Sequence, residues 1–81
     1  MAAEFGPIWT AGKGDARGFN TWDIHMRTPL ARRVVQGVLG KDIATNQTLV
    51  VVQGEGQEPL NTVLRIFDAL LEAAKSPTLQ A

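Results

Sequence analysis

The stretch PLNTVLRIFDALLEAAK, residues 59–75, decides how the rest of this chain is read. At 3.6 residues per turn Leu60, Val63, Leu64, Phe67, Leu70, Leu71 and Ala74 fall in one stripe, opposite Asn61, Arg65, Asp68, Glu72 and Lys75. The spacing predicts an amphipathic helix. Pro59 suits its first position, Glu58 complements its positive end and Lys75 its negative end. Ile66 and Ala73 flank the stripe and widen the apolar arc to about half the circumference, more than one sheet face covers. The excess calls for a second helix or a partner chain, and it marks Ile66 and Ala73 as candidate self-association residues, with the exposed edge of the first strand as the alternative surface for a twofold dimer.

Working backward, GEGQE, residues 54–58, connects that helix to TLVVVQ, residues 48–53, the strongest strand signal in the chain. Its valines are continuous, as in a central strand or one covered by helices on one face. A strand, glycine loop and helix can form an anion site, but Glu55 and Glu58 put carboxylates where a phosphate would sit, so self-capping is expected. KDIATNQ, residues 41–47, is a connection, and the Asn46-Gln47-Thr48 sequon carries no meaning without a secretory signal.

TPLARRVVQGVLG, residues 28–40, reads best as a helix. Leu30, Ala31, Val34, Val35, Val38 and Leu39 segregate from Arg32, Arg33, Gln36 and Gly37, with Thr28 as cap, Pro29 first and Gly40 just past the end. A strand is the alternative. As a strand, Gly37, Leu39, Asp42, Asn46 and Leu49 resemble the first block of Sm-like RNA-binding barrels, Gly-x-Leu followed by Asp-x-x-Met-Asn-x-x-Leu. The likeness spans about a quarter of the chain, needs a one-residue deletion and has Thr45 in place of the methionine. It implies an RNA-binding barrel whose long helix usually comes first, whereas here it comes last.

From Phe19 to Thr28 the pattern alternates, with Trp22, Ile24 and Met26 on one side and Thr21, Asp23, His25 and Arg27 on the other, which predicts a half-buried strand. His25 is the only histidine and has no metal-ligand neighbour at a suitable spacing, so a polar strand residue is expected there. AGKGDARG, residues 11–18, reads as a loop punctuated by Gly12, Gly14 and Gly18; its Gly-Lys-Gly lacks the spacing and the Ser or Thr of a phosphate loop. Ahead of it, Ile8 and Trp9 suggest a short first strand.

The 81 residues make a single domain, with residues 1–5 and 77–81 expected as loose ends. The expected class is α+β: a small two-layer sandwich with a three-stranded sheet, elements in the order β-β-α-β-α, and a long C-terminal amphipathic helix. Should the strands of residues 19–28 and 48–53 be neighbours, a right-handed crossover would make them parallel. The alternative is four antiparallel strands backed by the C-terminal helix alone, a topology like that of several single-strand nucleic-acid binders.

A composition of 44% hydrophobic and 20% charged residues is that of a folded domain. With no cysteine and no apolar run near the about 20 residues of a membrane span, a cytoplasmic protein without membrane contact is expected. Net charge is zero, but residues 1–41 carry six bases against three acids and residues 42–81 two against five. That asymmetry suits a homodimer or a protein partner.

No nucleophile–base pair, metal cluster or cofactor loop is present in the pattern, so neither enzyme nor cofactor is expected. The expected function is a non-enzymatic, self-associating module that binds another protein. The alternative is single-stranded RNA or DNA binding through the basic, aromatic-containing N-terminal half, with Lys13, Arg17, Arg32 and Arg33 as candidate contacts.

Overall fold

The computed structural model describes residues 6, 8–16 and 18–75. The expected loose ends at residues 1–5 and 77–81 lie outside them. The elements are β1 (Trp9–Asp15), β2 (Gly18–His25), α1 (Pro29–Leu39), β3 (Leu49–Gln53) and α2 (Glu58–Lys75). This is the expected α+β order. The three strands form one sheet in the order β1-β2-β3, antiparallel throughout.

Each helix starts and stops where its local chemistry directs. Thr28 Oγ1 accepts the Ala31 N–H at 3.1 Å, Pro29 opens α1, and Gly40, at φ 69°, takes the left-handed closing position and donates its N–H to the Gln36 carbonyl at 2.8 Å. Residues 29–39 are therefore helical, and the Sm-like resemblance, which needs a strand there, does not hold. In α2 the Thr62 hydroxyl donates to the Glu58 carbonyl at 3.1 Å and accepts from Arg65 Nη2 at 2.9 Å, so this buried polar side chain is satisfied. Arg65 also approaches Glu58 at 3.5 Å. Glu58 is thus engaged within its own helix.

α2 lies over β2 and β3, and α1 packs against α2. The core joins Ile24 and Met26 of the β2 segment and Val50 of β3 with Ala31 and Val35 of α1 and with Val63, Ile66, Leu70 and Ala73 of α2. Ile43, in the return loop after α1, closes it. The seat of α2 differs from the sequence reading. Its buried residues are Pro59, Thr62, Val63, Ile66, Leu70 and Ala73, whereas Leu64 and Leu71 are each 52% exposed. At 100° per residue this rotates the buried face by about a quarter turn from the leucine-rich stripe. The reason is α1, which lies on the Ala69–Ala73 side, where small side chains permit close approach. Ile66 has no exposure and Ala73 almost none, so neither offers a surface for self-association.

Three further expectations are corrected. First, residues 11–15 are strand and not loop. Gly12 lies under the Trp22 ring, where a Cβ would come within 2.8 Å of the ring atoms, and Gly14 passes so close to Gly18 that no side chain fits. The glycines admit neighbours instead of breaking the strand. Second, β3 is an edge and not the centre: Val50 is buried and Leu49 and Val51 are exposed. Third, β2 and β3 run antiparallel, His25 facing Leu49 and Thr21 facing Gln53. The connection leaves the end of β2 along α1, about 16 Å at 1.5 Å per residue, and residues 40–48 span that distance in return. Both ends of the connection therefore meet, and Met26 N–H donates to the Thr48 carbonyl at 3.0 Å.

Ile66→Ala or Leu70→Ala should lower stability by about 2–5 kcal/mol. Leu64→Ala and Leu71→Ala should each change it by less than about 1 kcal/mol. Urea titration followed by circular dichroism distinguishes this seating from the leucine-stripe seating, in which Leu64→Ala and Leu71→Ala would cost as much as Leu70→Ala and Ile66→Ala would cost less.

Candidate interaction surfaces

With both helices on one side, the other face of the sheet is open. The register places three rows across it: Trp9, His25 and Leu49; Ala11, Asp23 and Val51; Lys13, Thr21 and Gln53. Trp9, Leu49 and Val51 are 42%, 40% and 46% exposed. Trp9 stacks on His25, centroids 4.8 Å apart and planes 4° from parallel, and the Arg27 guanidinium lies over the Trp9 ring at 5.2 Å. These geometries are those of an offset aromatic pair and a cation–π contact. A shallow cleft of about 380 Å³ opens beside them, lined by Trp9, His25, Met26, Arg27 and Thr48. Asp23 and His25 share this face, but no hydrogen bond joins them among the described residues, and His25 is held by the indole.

The register shifts once between β1 and β2. Lys13 faces Thr21 and Gly14 faces Phe19, leaving Asn20 without a β1 partner. The extra residue brings Phe19 to the Trp22 side, ring centroids 5.8 Å apart. The Trp22 indole N–H is buried and has no acceptor among the described residues. An orphaned donor of this kind costs about 1–3 kcal/mol.

The second surface is a groove of about 480 Å³ between α1 and α2, lined by Arg33, Val34, Gly37, Val38, Ala69, Glu72 and Ala73. Its lining is apolar apart from the lips, where Arg33 and Glu72 stand. Arg33 of the basic half and Glu72 of the acidic half thus border the same groove.

The candidate nucleic-acid residues do not form one patch. Lys13 is on the open face, in the row about 13 Å from the Trp9 row at about 3.3 Å per residue. Arg32 and Arg33 lie in α1, on the helical side, where both border a cleft with Pro29, Gln36, Ile43 and Thr45. Arg17 lies outside the described residues. Arg27, absent from that set, is the cation placed on an aromatic ring, and its position beyond the end of β2 on the Trp9 side carried the signal. Among the described residues no group of three or more His, Asp or Glu side chains could hold a metal ion, and no helix is long and apolar enough to cross a membrane.

No protein-family model, curated protein or solved structure matches the chain.

A double-mutant cycle on Trp9→Leu and Arg27→Gln should give a coupling of about 0.5–1 kcal/mol in urea denaturation. A coupling indistinguishable from zero means the guanidinium only passes the ring. Gly37→Ala should raise stability by about 0.5–1 kcal/mol, because a Cβ there meets open space in the middle of α1.

Proposed function

We propose that the protein is a small non-enzymatic interaction module of the cytoplasm that self-associates as a homodimer and binds other proteins through its sheet. The observation that carries this reading is the one-sided covering of the sheet, which leaves Trp9, Leu49 and Val51 in water. A chain of 81 residues has little core in reserve, and apolar sheet surface left in solvent favours association. The absence of cysteine suits a reducing compartment. Ile66 and Ala73 have no part in the association because they are already buried.

A second reading, single-stranded nucleic-acid binding, has one observation in its favour: the Trp9–His25 stack with Arg27 above it shares the open face with Lys13. Aromatic rings offer base stacking and the cations offer phosphate contacts. Asp23, in the middle row of the same face, works against the phosphates, and Arg32 and Arg33 are on the other layer.

Sedimentation equilibrium at high micromolar concentration should give twice the 8.8 kDa monomer mass. A chain that stays at monomer mass ends the self-association reading. Fluorescence polarisation with labelled single-stranded oligonucleotides should show no binding at low salt. Binding that weakens steeply with added salt and is lost in Trp9→Ala would establish the second reading in its place.

A further inference from the structure

We infer that two copies of the chain join edge to edge through β3, antiparallel about a twofold axis at Val51, so that two three-stranded sheets become one of six strands. The inference rests on the self-association proposed above and specifies its surface.

Met26 N–H donates to the Thr48 carbonyl at 3.0 Å and Gly54 N–H to the Asn20 carbonyl at 3.1 Å. With the register Ile24 to Val50 and Trp22 to Val52, these bonds assign the backbone groups of Thr48, Val50, Val52 and Gly54 to β2. The groups of Leu49, Val51 and Gln53 consequently point away from the sheet. Among the described residues Val51 and Gln53 have no hydrogen bond on that side, and the Leu49 carbonyl accepts only the exposed Gln47 Nε2, at 3.0 Å.

This edge is self-complementary. β3 has five residues with Val51 in the middle. An antiparallel copy centred there sets Leu49 opposite the partner's Gln53 and Val51 opposite the partner's Val51. All the outward groups then fall in pairs that exchange both bonds. A twofold axis produces such an isologous contact without further adjustment. On the open face the two Val51 side chains meet, each flanked by Leu49 of one chain. On the helical side Val50 faces the partner's Val52. The Gln47 side chain must swing out, which releases one exposed contact.

The two edges of the sheet differ in the features that discourage pairing. β1 carries Lys13 and Asp15, two glycines and the register shift beside Gly14. β3 has no charge, no proline and no bulge. Natural sheets protect free edges with such devices, and a bare uncharged edge is the template for another strand. The rival surface, the Leu64 and Leu71 flank of α2, has Asp68, Glu72 and Lys75 beside it and no backbone groups to satisfy.

Val51→Pro tests the inference, because a proline whose missing N–H points outward is accommodated at an edge without breaking the β2–β3 ladder. The wild-type chain is expected at twice 8.8 kDa and Val51→Pro at 8.8 kDa with an unchanged circular dichroism spectrum. A folded Val51→Pro that stays dimeric overturns the inference while leaving self-association in place. A Leu64→Glu/Leu71→Glu variant that becomes monomeric while remaining folded moves the contact to α2 and also overturns it. Should Val51→Pro not fold, hydrogen exchange of the wild-type chain decides. The Val51 and Gln53 amides should exchange at least about tenfold more slowly in the concentrated dimer than on dilution. Equal exchange at both concentrations in a chain of dimer mass overturns the edge contact. A wild-type chain that is monomeric at high micromolar concentration removes this inference together with the reading on which it rests.

Discussion

Everything in this domain depends on the seating of α2. Its Val63, Ile66 and Leu70 face the sheet through Ile24 and Val50, and its Ala69 and Ala73 side receives α1. No other element touches both the sheet and the second helix so extensively. Each fully buried aliphatic side chain contributes about 1.5–3 kcal/mol of transfer free energy. A few such residues on α2 therefore amount to the same order as the whole stability of a small domain. The two layers and the paired helices share one core, and α2 supplies four of its ten buried hydrophobic residues, more than any other element.

Placing both helices on one side leaves a sheet with one face exposed and, among the described residues, two edges without a further strand. The open face is amphipathic, with aliphatic residues along β3, polar residues along β2 and an aromatic–cation cluster at the corner where β1 begins. The edges are unlike each other. β1 is glycine-rich, charged and irregular, whereas β3 is short, β-branched and regular. Such an edge in a free monomer invites strand addition, and the shortness of β3 limits how much can add. The groove between the helices is the other concave apolar surface, but its small lining residues follow from the close approach of α1 and α2 and need no ligand to account for them.

The charges tell a similar story of dispersion. Arg33 and Glu72 stand on the lips of one groove, Arg65 turns back to Glu58 and Thr62, and Lys75 lies 3.9 Å from Glu72. These exposed pairs contribute little individually. Among the described bases of the N-terminal half, Lys13 lies on the open sheet face and Arg32 and Arg33 on α1, so these three do not share one face. Arg27 is placed differently, over a tryptophan that is itself stacked on a histidine.

Much of this was legible in the residues, and the limit has a physical cause. Helix ends depend on a few adjacent groups: the Thr28 hydroxyl, the rings of Pro29 and Pro59 and the positive φ of Gly40 act within one turn, so α1 and α2 were readable to within a residue. The alternation of Trp22, Ile24 and Met26 likewise showed which face of β2 is buried, because period-two patterning is local. Strand order, strand direction and the rotation of α2 were not determined locally. Leu64 and Leu71 lie in the predicted stripe, yet Ile66 and Ala73 face the core, because α1 packs on the Ala69–Ala73 side and turns Ile66 toward the sheet, an arrangement that exists only in the assembled fold. Gly12 and Gly14 read as a loop until Trp22 and the Gly18 segment lie against them. By itself the sequence determined the elements and their order. The tertiary structure decided which apolar residues are spent in the core and which remain at the surface, since burial is a property of how elements pack and not of the element that carries the residue.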